Sequence, residues 1–117
     1  MQWDDAQIGM KPGEEINMES ALYGMLLASA NEVSYAVAEN VGRQYLNGGY
    51  TEFIEEMNRI SQQLGCTGSN WVNANGLHDD NHYTTAHDMA RIAAAAIRMK
   101  SFEDWRQRWN TKFHRRI

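Results

Sequence analysis

Ser29-Ala30-Asn31 sets a hydroxyl and a carboxamide two residues apart, where one helical pattern stops and the next begins. A hydroxyl can accept and donate within a single proton-transfer step, and a carboxamide can orient an acyl substrate without changing charge. Taken alone, the tripeptide is better explained by helix termination and capping, which Ser and Asn perform routinely. A second polar cluster, His78-Asp79-Asp80-Asn81-His82 with His87-Asp88 nearby, holds residue types that ligate zinc. Its spacing fits no established zinc pattern, and Asp- and Asn-rich stretches are ordinarily solvated turns, so no metal is expected. The single Cys66 has no evident His partner and reads as a small, partly buried residue, not a nucleophile.

The elements that must position Ser29 and Asn31 are helical. Residues 1–16 read as a turn-rich lead-in carrying the only proline, in Lys11-Pro12-Gly13-Glu14. Asn17 is an N-cap candidate, and Met18, Ala21, Leu22, Met25 and Leu26 follow at amphipathic spacing to about Ala28. A second helix after Asn31 turns Val33, Val37, Ala38 and Val41 to one face and ends at Asn47-Gly48-Gly49. A third begins near Thr51, with Phe53, Ile54, Met57, Ile60 and Leu64 inward and Gly65 as its stop. Residues 66–84 lose the helical period and read as loop with a short strand around Trp71-Val72. Thr85-x-x-Asp88 opens a fourth helix, with Met89, Ile92, Ala93, Ala96 and Ile97 inward. Ser101-x-x-Asp104 precedes Phe102, Trp105 and Trp109, the spacing of a short fifth helix, and the tail over 110–117 is polar and basic.

At 117 residues, 43% of them hydrophobic, the chain has the size and composition of one globular domain. Its net charge of -4 is unevenly spread: residues 1–90 carry 13 acidic against 3 basic side chains, and residues 91–117 carry 2 against 8. The basic end lacks any nucleic-acid fold motif, so the charges are read as the punctuation of an amphipathic segment facing water or the acidic body, with no nucleic-acid partner. No apolar run approaches the roughly 18 residues of a membrane span, and Met1 to Asp5 lacks the basic start and apolar stretch of a secretory signal.

Three stretches in order change the weight of the opening tripeptide. They are Lys11-Pro12-Gly13-Glu14; the run from Leu22 through Ser29-Ala30-Asn31 into Ala36-Val37-Ala38-Glu39; and Trp71-Val72-Asn73-Ala74-Asn75-Gly76-Leu77 leading to Asn81-His82-Tyr83-Thr84-Thr85-Ala86-His87-Asp88-Met89-Ala90. Together, and with the helix over 53–65, they resemble the middle of the serine D-alanyl-D-alanine carboxypeptidases, the low-molecular-weight penicillin-binding proteins. The likeness runs over roughly residues 10–100 and is poor over the last 17.

The resemblance implies a mainly α chain: the helical subdomain of the β-lactamase and penicillin-binding-protein fold, about five helices over 1–117 with a loop-rich part near 66–84. Catalysis in that family uses S-x-x-K, S-x-N and K-T-G elements. Only the second is present, since no serine here is followed three places later by lysine. Cys66-Thr67-Gly68 follows a helix, whereas the family's triad lies later on an edge strand. By resemblance Ser29 matches the proton-relaying serine and Asn31 the amide that holds the substrate's carbonyl, with Glu32 standing where Asp is common. The loop near His82 and Tyr83 borders the family's cleft, which makes His82 a candidate substrate contact. The implied parent is an extracytoplasmic enzyme without a cofactor that trims peptidoglycan stem peptides and is acylated by β-lactams, and this chain alone is expected to be inactive. The alternative is a non-catalytic helical binding or structural module whose uncovered faces favour self-association.

Overall fold

The computed structural model describes residues 5–99. They form four helices in chain order: α1 (Met18–Leu27), α2 (Asn31–Tyr45), α3 (Tyr50–Gln63) and α4 (Ala86–Ile97). The fifth helix expected around Phe102, Trp105 and Trp109, and the tail over 110–117, lie outside the described residues. Among those described, no helix is long and apolar enough to cross a membrane.

Local chemistry explains where the helices start and stop. The turn at Lys11 to Glu14 closes with Glu14 N–H donating to Lys11 O at 3.1 Å, with Pro12 and a left-handed Gly13 (φ 87°) at its centre, the residue pattern of a type II turn. Asn17 caps α1, its Oδ1 accepting from Ser20 N–H at 2.8 Å. The end of α3 is a Schellman motif: Gly65 sits at φ 83°, its N–H bonds Gln62 O, and Cys66 N–H bonds Ser61 O at 2.9 Å. Thr85 caps α4 by accepting from Asp88 N–H at 3.0 Å.

α2 is the central element and lies against both α1 and α3. Against α1 it sets Val33, fully buried, beside Gly24, where a Cβ would stand 3.7 Å from Val33 Cγ2. Ala21, Ala30 and Val33 form this small core, flanked by Met10, Met25 and Val37. Towards α3, the end of α2 comes so near the start of the next helix that a Cβ on Gly42 would run into the Gly49 carbonyl oxygen. Tyr35 and Tyr50 stack across the same pair of helices with ring centroids 4.6 Å apart.

Several side chains expected inside are not. Met18, Leu26, Ile60, Met89 and Ile97 are 45–58% exposed, and Ala93 is exposed as well. The amphipathic spacing of α3 and α4 holds, but no described element lies over these exposed side chains. α1 is apolar on nearly every side, a composition suited to a helix enclosed all round, yet among the described residues α2 is the only helix substantially packed on it. α4 is fastened through polar groups: Arg91 Nη1 donates to Leu64 O at 3.4 Å, and its first turn holds the 66–69 loop.

The strand expected around Trp71-Val72 is reduced to one antiparallel bridge between Asn70 and Tyr83. The ladder stops there because side chains take the next backbone donors. Trp71 N–H goes to Asn58 Oδ1 at 2.9 Å and Val72 N–H to His82 Nδ1 at 3.0 Å.

Candidate functional site

Ser29 and Asn31 meet at the corner between α1 and α2. Ser29 is exposed and holds φ 52°, one of two non-glycine residues with positive φ among those described. That left-handed residue reverses the chain so that Ala30 N–H turns back to Gly24 O at 3.1 Å. A serine in this conformation carries strain of order 1–3 kcal/mol, which a glycine would not. Neither polar residue acts as a side-chain cap of α2: its N-cap is Ala30, and no side-chain cap hydrogen bond is made there. Of the plain reading of the tripeptide, side-chain capping of α2 is not seen, whereas helix termination is: left-handed Ser29 directly follows the C-cap of α1.

Asn31 is buried, 7% exposed, and is fastened to the leading segment. Its backbone N–H and its Nδ2 both donate to Ala6 O, each at 2.9 Å. One Nδ2 hydrogen and the carboxamide oxygen remain without a partner among the described residues. The adjacent Glu32 reaches the same segment: its Oε1 accepts from three successive backbone N–H groups, Ile8 at 2.7 Å, Gly9 at 3.0 Å and Met10 at 3.3 Å. Burial works to raise the Glu32 pKa. The N–H groups of Ile8, Met10, Gly9 and its own backbone outweigh that and hold it below the ordinary carboxylate value.

Among the described residues, His82 makes its contacts within its own loop. Its Nδ1 accepts from Val72 N–H and its ring meets Trp71 edge-on at 5.4 Å, so its described partners are those of the 66–84 loop. His78 and Asp80 pair at 3.4 Å with both side chains almost wholly in water. Among the described residues no group of three His, Cys, Asp or Glu side chains is placed to hold a metal ion. Cys66 is buried, 3% exposed, with its Sγ 3.6 Å from Asp88 O. A cavity of about 430 Å³ lies between the leading segment and the α1–α2 pair, lined in part by Met10, Ile16, Val33 and Val37 with Glu14 and Glu15 beside them. It touches neither Ser29 nor Asn31.

Two polar groups named in the sequence as parts of local motifs take long-range partners that those motifs do not indicate. Asp88, 2% exposed, accepts from Ser69 Oγ at 2.7 Å and Gly68 N–H at 2.8 Å. The Ser69 hydrogen bond leads in lowering its pKa; burial opposes, while Gly68, the His87 charge and Thr85 add to the lowering. Glu32 is the other. Its sole signal in the sequence is a carboxylate directly after Ser-x-Asn with a glycine in the upstream segment, a pattern too short to assign a contact.

The sequence matches the D-alanyl-D-alanine carboxypeptidase family over residues 2–116. It is 34% identical over 96 residues to the D-alanyl-D-alanine carboxypeptidase DacF of Bacillus subtilis, covering 82% of this chain and 23% of that protein. The fold is similar to penicillin binding protein 5 from Haemophilus influenzae, with a TM-score of 0.73, 29% identity, and 81% of this chain against 26% of that one. It is also similar to the Streptomyces K15 DD-transpeptidase, with a TM-score of 0.75, 25% identity, and 86% of this chain against 38% of that one. The chain thus spans about a quarter of the length of the curated relatives it matches. With its sequence matched to the family over residues 2–116 and its fold similar to these solved members, the chain belongs to the D-alanyl-D-alanine carboxypeptidase family.

Proposed function

We propose that this chain supplies the S-x-N element of a serine-type D-alanyl-D-alanine carboxypeptidase that works outside the cytoplasm on peptidoglycan stem peptides and is acylated by β-lactams. The observation that carries the reading is the corner itself: a left-handed, exposed Ser29 beside a buried Asn31 whose carboxamide is held from one side and open on the other. In this role Ser29 relays a proton to and from the lysine of S-x-x-K, and Asn31 orients the substrate's peptide carbonyl. His82 approaches substrate from the loop side. The nucleophile and the edge-strand triad are not among these residues, so the chain alone performs no acyl transfer.

A fluorescent penicillin tests this directly. The expected result is no covalent label on the chain alone, and label on a chimera in which residues 1–117 replace the matching stretch of the Streptomyces K15 DD-transpeptidase. In that chimera Ser29→Ala slows labelling by about 10²-fold or more, the usual contribution of a positioned proton-transfer group, and Asn31→Ala by about 10²-fold, the usual contribution of a positioned hydrogen-bonding group on the reacting carbonyl. A labelled band at the mass of the chain alone, or a chimera indifferent to both substitutions, overturns the proposal.

A second reading is favoured by the exposed Met18, Leu26 and Leu27 of α1 and Ile97 and Met99 at the end of α4. It makes the chain a non-catalytic helical module that self-associates through those faces. Sedimentation separates the two readings, since a clean monomer at high concentration excludes self-association.

A further inference from the structure

Glu32 follows the S-x-N tripeptide directly and is tied to the segment that holds Asn31. Its Oε1 gathers the N–H groups of Ile8, Gly9 and Met10, a concave run of donors that a left-handed Gly9 (φ 82°) makes available. Two residues before that run, the Ala6 carbonyl takes both the backbone N–H and the Nδ2 of Asn31. The two attachments come from adjacent residues of α2's first turn and grip adjacent stretches of one extended segment. The other oxygen, Oε2, is buried without a hydrogen-bond partner among the described residues, so Oε1 carries the whole grip. Ile8, inside the gripped run, also packs on α1, its Cδ1 3.4 Å from where a Cβ of Gly24 would stand.

We propose that Glu32 is a positioning residue for Asn31: by clamping residues 8–10 it fixes the Ala6 carbonyl, and the Ala6 carbonyl fixes which way the Asn31 carboxamide turns. Without the clamp, the segment keeps the Asn31 backbone N–H on Ala6 O and the packing of Ile8 and Met10, but loses the charged anchor that fixes the angle of the Ala6 carbonyl, and the carboxamide gains freedom to rotate. Held, Nδ2 keeps one hydrogen on Ala6 and presents the remaining one, with Oδ1, in a fixed sense. The catalytic meaning of this arrangement rests on the reading of Ser29 and Asn31 given above. The arrangement itself does not.

The test is made on the 117-residue chain by following the Asn31 side-chain NH2 signals in nuclear magnetic resonance spectra. Glu32→Gln keeps the shape and removes the charge that strengthens three donors. It is expected to shift the Asn31 NH2 signals and quicken their exchange with water by roughly fivefold to tenfold, the loss of about one hydrogen bond. Glu32→Asp, which keeps the charge, restores most of the wild-type signature. Gly9→Ala loosens the clamp from its other end, because its Cβ meets nothing within 4 Å but the left-handed φ resists it. It is expected to move Asn31 in the same sense. The Gly68 N–H, held by Asp88 elsewhere in the fold, reports that each variant remains folded. Should Glu32→Gln unfold the chain, Gly9→Ala decides alone. Asn31 signals unchanged while those of Ile8 to Met10 move would overturn the proposal, and would leave the acylation test of Asn31 untouched.

Discussion

Asn58 on α3 serves Trp71 as a neighbouring strand would: its Nδ2 donates to Trp71 O at 2.8 Å while its Oδ1 accepts from Trp71 N–H at 2.9 Å. Trp71 returns to the same helix through its indole, which donates to Ser61 Oγ at 2.6 Å. Replacing Asn58 by Ala leaves a partly buried N–H and C=O to find water. The expected cost is about 1–3 kcal/mol, read as a lower urea midpoint with a red-shifted Trp71 emission.

Gly42→Ala is expected to cost more than its single methyl suggests. The new Cβ collides with the Gly49 carbonyl, a backbone atom at the α2–α3 turn that cannot swing aside. Overpacking of this kind costs about 1–3 kcal/mol. A midpoint equal to wild type would show that the two helices are free to move apart.

Ser29→Gly should move stability the other way. The φ of 52° is unfavourable for serine and ordinary for glycine, so the substitution is expected to be neutral to stabilising by about 1 kcal/mol. In the penicillin-labelled chimera the same variant loses the hydroxyl and labels slowly. A variant both less stable and fully reactive contradicts the strain and the proton-relay role together.

Acid should weaken the fold through carboxylates that the folded state holds low, Glu32 and Asp88 among them. Glu32 and Asp88 are both held below their ordinary values of 4.5 and 3.8, so each contributes stability that is complete above the ordinary value. That contribution is lost as pH falls through the lower, folded value, because the folded state then takes up protons the unfolded state already carries. Thermal midpoints should be flat above about pH 5.5 and fall as these groups titrate. Asp88→Asn should lower the plateau and flatten the acid limb. An acid limb as steep as wild type would remove Asp88 as a contributor.

The helix starts and stops were legible because each is written locally. Asn17 and Thr85 cap within three residues, and Gly65 supplies the left-handed stop. The placement of Ser29 between two helices was legible for the same reason. What the sequence does not display is pairing across long separations: Glu32 with residues 8–10, Asp88 with Ser69, Asn58 with Trp71. Each is a polar side chain whose partner is set by tertiary placement, and no period or spacing announces it. The inward stripe of α4 was read correctly as a stripe and wrongly as buried, since periodicity marks a face without marking what lies against it, while α1, apolar on nearly every side, has no single stripe to read.

α1 carries the sharpest consequence for how such a chain is made. Ten residues long, with Ala21 alone fully enclosed and Met18, Leu26 and Leu27 open to water, it is a surface awaiting closure. Until something closes over it, every collision with another growing or unfolded chain is an opportunity for adhesion. For a protein carrying this helix, the hazardous interval during synthesis begins when α1 forms and ends only when its bare side is enclosed. Slow closure should appear as inclusion bodies before it appears as lost activity.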